Sequence, residues 1–330
     1  MTTIIYIYIF ILLSMIVFNV FCVYIRKIND CNIIKKQKKI QLLIDKKNIN
    51  RLGRKLKHTS YLIAFSYCEF KNDIKLTNLF DRLLNTYNKK SIIEKTYFVY
   101  VLSKFPGIYD NNNQIINFLI NNSYSNSLYL SENCLKALYK ISNPIYIIKA
   151  FKKMNYKNCK HHYKLLSDGL LTYQGDKNKL CSLLLDNYKN FNSNYRLAII
   201  NYFNRIDIDL TKELFNILLN EKDKEVKIAL IRYFRNHKYD FAKKELIKLT
   251  KDDFEYAVAS IQSLKYYDGI DVIKTLKNSL TNSNWYVRNR AAEVLVFKLP
   301  KNEVIELLKI DDKYAKDAIT YQLGMSDNNA

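Results

Sequence analysis

Residues Ile4 to Ile25 form an unbroken run of 22 residues without a charged side chain. No other feature restricts the fold of this chain so strongly. As a helix rising ~1.5 Å per residue, the run extends about 33 Å, enough to cross a hydrocarbon core of roughly 30 Å. Only Ser14 and Asn19 are clearly polar within it. Tyr6, Tyr8 and Tyr24 lie near its ends, where amphipathic rings favour the headgroup region. The run is longer than a signal-peptide core and lacks both a basic n-region and a small-residue cleavage site. Residues 1–25 are therefore expected to be a single transmembrane anchor.

Charge supports that reading. The chain has a formal net charge of +22. Residues 26–57 hold twelve Lys or Arg against only Asp30 and Asp45, a net of +10, and residues 1–25 hold no charge at all. Arg26, Lys27, Lys35, Lys36, Lys38 and Lys39 follow the apolar run directly. The positive-inside rule then predicts a single-pass protein of the cell membrane, N-terminus outside and C-terminal domain cytoplasmic. These cations are also expected to attract anionic lipid headgroups, at ~1 kcal/mol for each one held near the surface. A uniformly basic nucleic-acid binder would not concentrate its charge beside an anchor, so nucleic acid is disfavoured as a partner.

Turn punctuation is scarce in the remainder, with 6 Gly and 3 Pro in 330 residues, which argues for helices joined by short turns. Six cysteines occur without a C-x-x-C pair and read as reduced thiols. Cys22 and Cys31 flank the expected membrane interface, where acylation is a known modification.

Four segments align without gaps, beginning at Asn194, Glu225, Glu255 and Tyr286. Their leading positions Tyr195, Val226, Tyr256 and Val287 are 31, 30 and 31 residues apart. Small or apolar residues follow four positions on (Ile199, Leu230, Ser260, Ala291) and eight positions on (Phe203, Phe234, Leu264, Leu295). Spacings of 0, 4 and 8 share one helix face. A second amphipathic segment lies between each pair, at 212–219, 242–249 and 272–280. The unit is thus helix, turn, helix, turn, and a period near 31 residues marks a solenoid. Weaker copies occur at Tyr163/Ser167/Leu171, Leu130/Cys134/Leu138, Glu94/Phe98/Leu102 and Leu62/Ser66/Phe70. About eight helix pairs are expected over 58–325, the last formed by 304–308 and 314–323. A basic, helical juxtamembrane segment is expected over 26–57 and a disordered tail over 326–330.

Trp285-Tyr-Val-Arg-Asn-Arg-Ala-Ala-Glu-Val-Leu295 resembles the inner-helix signature of HEAT repeats, V-R-x-x-A-A-x-x-L. The short period is similar to the HEAT-like class named after phycobilisome lyases. The resemblance covers about 145–310 well and 45–144 weakly. It implies an all-α fold, an α-solenoid of HEAT-like hairpins following the transmembrane helix, with the V-R helices lining a concave face. It also implies that Arg196, Lys227 and Arg288 pack near a turn carboxylate of an adjacent unit; Ala257 departs from that pattern. With the helices so oriented, Asn201, Arg232 and Gln262, and Arg205, Arg235 and Lys265 a turn further on, edge the concave surface. Tyr202 and Tyr233 fall beside them, off the stacking positions. The alternative is a face that is merely solvated.

No residue is assigned to catalysis, a metal or a cofactor. Cys159-Lys-His-His162 is the one cluster of soft ligands, short of the three or four that a metal site converges, and it also reads as a polar turn before a helix. Asp252-Asp253 and Asp311-Asp312 sit in expected turns, where Asp caps the next helix. No Walker, Rossmann, zincin or nucleophile-elbow motif occurs. Three function classes remain. The first is a non-catalytic membrane-tethered scaffold for a protein partner. Chains of this layout resemble bacterial accessory proteins of membrane glycosyltransferases in envelope polysaccharide synthesis. The second is a nucleic-acid-binding protein similar to the HEAT-like alkylation-repair glycosylases, and the third is an enzyme of the bilin-lyase kind.

Overall fold

The computed structural model describes residues 2–68, 76–110 and 112–327. Phe70, expected to close the first repeat helix, and residues 328–330 of the expected tail lie outside the described residues. Nineteen α-helices and no strand occur among the described residues. The chain divides into two units, 1–159 with 173–176, and 160–172 with 177–330.

The first unit begins with α1, Thr2–Asp45, a continuous helix of 44 residues, about 66 Å long. From Tyr6 to Ile25 its apolar side chains are all exposed. α1 is long and apolar enough to cross a membrane. At the other end, Ile40, Leu43 and Ile44 are buried, and this end of the helix packs on α2 (Ile49–Leu56) and α3 (Thr59–Phe65). Gln37 Nε2 donates to the carbonyl of Tyr67 at 2.7 Å. The same helix thus carries an apolar rod, a bare basic stretch and a packed foot.

α1 stops without a glycine. Lys47 takes a left-handed conformation, φ 51°. The N–H of Asn48 bonds the carbonyl of Leu43 and that of Lys47 bonds the carbonyl of Ile44, which satisfies two carbonyls of the last turn. Asn158, φ 50°, does the same after α8, through bonds from Cys159 to Met154 and from Asn158 to Asn155. A chain with few glycines ends these helices on Lys and Asn, and Asn tolerates that region better than most residues.

The unit continues with α4 (Thr77–Tyr87), α5 (Ile92–Leu102), α6 (Asn113–Asn122), α7 (Leu128–Leu138) and α8 (Ile145–Tyr156). Two rows result: α1, α3, α5 and α7 pack in succession, and so do α2, α4, α6 and α8. Tyrosine hydroxyls tie successive hairpins. Tyr87 donates to the carbonyl of Leu56 at 2.9 Å, Tyr109 to Ala137 at 3.2 Å and Tyr173 to Ser142 at 2.7 Å. Burial pushes the Tyr87 phenol up to about 12.

The second unit holds α9 (Tyr163–Leu171), α10 (Lys177–Asn187), α11 (Ser193–Phe203), α12 (Thr211–Asn220), α13 (Lys224–Asn236) and α14 (Asp240–Leu249). It ends with α15 (Phe254–Leu264), α16 (Ile270–Ser279), α17 (Trp285–Lys298), α18 (Lys301–Leu307) and α19 (Lys313–Asp327). α9, α11, α13, α15, α17 and α19 pack in succession, and α12, α14 and α16 fold back on the helices that follow them. α19 runs two residues into the expected tail. The expected apolar stripe is buried in α11 (Tyr195, Ile199, Phe203), α13 (Val226, Leu230, Phe234) and α17 (Val287, Ala291, Leu295). In α15 Ser260 and Leu264 are buried and Tyr256 is half-buried. In α9 the core instead takes Leu166, Ser167 and Leu170, because Tyr163 is the first residue of the helix and Leu171 the last.

Candidate functional site

Helix starts set the register of the second unit. Asn192, Asp223, Asp253 and Asn284 cap α11, α13, α15 and α17, accepting from the N–H of Tyr195, Val226, Glu255 and Tyr286. The caps recur at 31, 30 and 31 residues, so successive odd-numbered helices start at equivalent positions of the repeat. Each side-chain oxygen satisfies an N–H that a helix start would otherwise leave open, a contribution of about 1 kcal/mol.

Across α13, α15 and α17 this register leaves a groove of about 380 Å³, walled by Ile228, Phe254, Val258, Ala259 and Tyr286, the cations Arg232 and Arg290, the carboxylates Glu225 and Glu255, and Gln262. Phe254 and Tyr286 stand at the helix starts with their rings exposed. Lys224 holds the first of these in place: its ammonium pairs with Asp253 at 3.2 Å and Glu255 at 2.7 Å and lies 5.8 Å from the Phe254 ring. Arg290 is paired with Glu293. Arg232, exposed, has no carboxylate partner among the described residues. The groove therefore offers an apolar floor, the guanidinium of Arg232, the carboxylate of Glu225 and the amide of Gln262. With Glu225 in the same wall, that combination suits the side of a polypeptide carrying apolar residues and polar groups of both signs.

Of the six residues expected along a binding face, Arg232 and Gln262 line this groove. Asn201 turns back to donate to the carbonyl of Leu197 at 2.8 Å. Arg205 is paired with Asp168, and the Lys265 ammonium sits 3.9 Å from the centre of the Phe297 ring. Arg235 is half-exposed and is not part of the groove wall. Tyr202 and Tyr233, expected off the stacking positions, are fully buried. α11 and α13 each meet an odd-numbered helix on either side, and so bury a second stripe that includes Tyr202 and Tyr233. The Tyr233 ring stacks on His237, centroids 4.2 Å apart.

Of the three cations expected beside a turn carboxylate, Arg196 makes that contact. Its Nη1 donates to both oxygens of Glu221 at 2.8 and 2.9 Å. Glu221 is buried and also accepts from the N–H groups of Lys222 and Asp223, each at 2.9 Å, and from the Tyr188 hydroxyl at 3.3 Å. Burial and the Glu221 charge raise the Tyr188 phenol well above its ordinary range. Lys227 instead lies over the Tyr256 ring at 5.3 Å. Arg288 donates to the carbonyls of Asn282 and Ser283 and faces the Tyr314 ring. Sequence reading missed Phe254, Tyr286 and Arg290; Phe254 directly follows the Asp252-Asp253 turn and Tyr286 lies two residues after the capping Asn284, so position at a helix start is the signal.

Three of the remaining candidates, His162, Asp253 and Asp312, are capping groups. His162 Nδ1 accepts from the N–H of Lys164 at the start of α9, and His161 is buried. Asp253 caps α15 and Asp312 accepts from the N–H of Ala315 in α19. No three His, Cys, Asp or Glu side chains are grouped to hold a metal ion among the described residues. Of the twelve cations of residues 26–57, none is paired with a carboxylate among the described residues; Lys36 and Lys55 lie over the Tyr61 ring at 5.3 and 4.8 Å. No protein-family model, curated protein or solved structure matches the chain.

Proposed function

We propose that the chain is a non-catalytic, membrane-tethered scaffold. In this reading α1 crosses the cell membrane with its N-terminus outside. The helical hairpins stack as a HEAT-like α-solenoid on the cytoplasmic side. The groove across α13, α15 and α17 receives a segment of a protein partner at the same membrane. The resemblance of the layout, one N-terminal anchor followed by HEAT-like repeats, suggests a glycosyltransferase of envelope polysaccharide assembly as that partner.

The supporting observation is the continuity of α1. One helix is bare and apolar over the length of a bilayer, then becomes part of the packed core at Ile40, Leu43 and Ile44. A joint of that kind holds a binding domain at a set distance from the membrane, where a cleavable or flexible leader would not. The geometry also refines the lipid reading. Along an untilted α1, Lys35 stands ~15 Å beyond Ile25 and Lys39 ~21 Å. The headgroup layer takes up roughly 5–7 Å of each distance, so Arg26 and Lys27 lie within it and Lys35 stands near one Debye length, ~8 Å, beyond it.

The test uses the full chain, solubilised in detergent and carrying a photo-crosslinking residue at Val258. An integral-membrane enzyme should be captured, and Arg232→Glu should reduce its recovery at least about tenfold. Capture of soluble proteins or nucleic acid alone, or recovery unchanged by Arg232→Glu, rejects the proposal.

A further inference from the structure

A second basic surface lies in the first unit, apart from the anchor. From Asn133 to Asn158 the chain carries six lysines and no acid. Three of them, Lys152, Lys153 and Lys157, wall a cleft of about 320 Å³ with Tyr124 and Tyr156. α8 supplies Lys152, Lys153 and Tyr156, the residue that caps its C-terminus is Lys157, and the turn after α6 supplies Tyr124. Lys153 is oriented by a bond to Asn121 Oδ1 at 2.8 Å. The Lys157 ammonium lies 5.8 Å from the Tyr156 ring centre, and that ring is 82% exposed. None of the three ammonium groups has a carboxylate partner among the described residues.

Two features define what fits. The walls are phenol rings and lysine stems, which an inorganic anion would leave uncovered and a flat ring would cover. The rim is a set of three ammonium groups on rotatable stems, point charges of the kind that hold phosphate. A phosphomonoester carries about −1.5 to −2 charges, so three cations call for two phosphates rather than one. A volume near the lower end of small-molecule sites, roughly 300–1,000 Å³, matches one such ring. We propose that the cleft between α8 and the turn after α6 binds a nucleoside diphosphate, its base against Tyr124 and Tyr156 and its phosphates on Lys152, Lys153 and Lys157. The site is independent of the groove across α13, α15 and α17.

The experiment is calorimetric titration of the detergent-purified full chain with ADP, adenosine, pyrophosphate and a single-stranded oligonucleotide, at fixed low salt. ADP should bind at least about tenfold more tightly than adenosine or pyrophosphate. Lys152→Ala and Tyr156→Ala should each weaken ADP at least about fivefold, while Lys248→Ala, an exposed lysine of α14, should leave it unchanged. The altered side chains are exposed, so helical content by circular dichroism should be preserved; Lys152→Gln serves if one variant is not. ADP binding no tighter than pyrophosphate, ADP binding insensitive to Lys152 and Tyr156, or displacement of ADP by an equimolar oligonucleotide each overturns the proposal.

Discussion

Replacing Glu221 with Gln should destabilise the second unit far more than removing any exposed ion pair. The Glu221 side chain is 3% exposed and that of Arg196 is 22% exposed. At an effective dielectric near 20, opposite charges about 3 Å apart attract by roughly 5–6 kcal/mol. Desolvation of the two ions offsets most of that, so the pair itself contributes little. Breaking it is different, because Arg196 would stay half-sequestered beside a neutral amide. Such losses cost about 3–5 kcal/mol for fully buried pairs. Access of Arg196 to water reduces the expectation to about 3 kcal/mol. For a unit of this size, 1 kcal/mol moves Tm by about 2–4 °C, which gives a fall of roughly 6–12 °C. The assay is thermal unfolding of the detergent-solubilised full chain, with Asp168→Asn as the exposed-pair control at no more than about 1 kcal/mol. The double variant Arg196→Met/Glu221→Gln should regain at least half the loss, since no charge is then stranded. Equal shifts for Glu221→Gln and Asp168→Asn, or a double variant as unstable as the sum of the singles, would refute the reasoning.

Three further outcomes follow from the same structure. Tyr267→Phe should cost about 1–3 kcal/mol in thermal unfolding, because the hydroxyl donates to the carbonyl of Phe234 at 2.8 Å and accepts from the N–H of Tyr239 at 3.2 Å, and both would be left buried; Tyr314→Phe, an exposed ring, should stay within ~0.5 kcal/mol. The Lys90 ammonium, then the hydroxyls of Ser91 and Thr59, hold the Glu94 carboxyl down to about 2. Its folded value lies below its unfolded one, so its contribution is complete above about pH 4.5 and fades as pH falls towards 2; the Tm gap between native chain and Glu94→Gln should close over that window, and a constant gap contradicts the assignment. In sealed vesicles of known orientation, a membrane-impermeant maleimide should label exposed Cys31 from the cytoplasmic side alone, while buried Cys68, Cys134 and Cys181 stay unlabelled; burial lifts the Cys68 thiol to about 11, and labelling of Cys31 from the outside reverses the proposed topology.

What the amino-acid sequence determined by itself is whatever depends on neighbours within a turn or two. The span of α1 is a matter of composition over 22 residues. The starts of α11, α13, α15 and α17 depend on one polar side chain reaching an N–H two or three residues ahead. The buried stripe of α11, α13 and α17 follows from the period of a single helix. Tertiary structure decided the rest. Tyr202 and Tyr233 looked peripheral because one apolar stripe describes a helix with one buried face, whereas α11 and α13 are enclosed on two. Arg205, Arg232 and Lys265 are alike in sequence as cations on repeat helices. Arg205 meets Asp168, 37 residues away, Lys265 meets Phe297, and Arg232 alone of the three is left facing a groove. The foot of α1 is likewise invisible in a basic stretch, since Ile40, Leu43 and Ile44 become core only once α2 and α3 fold back on them. A local pattern sets which side chains are available on a helix face; the neighbours that chain folding brings against that face decide which of them remain free.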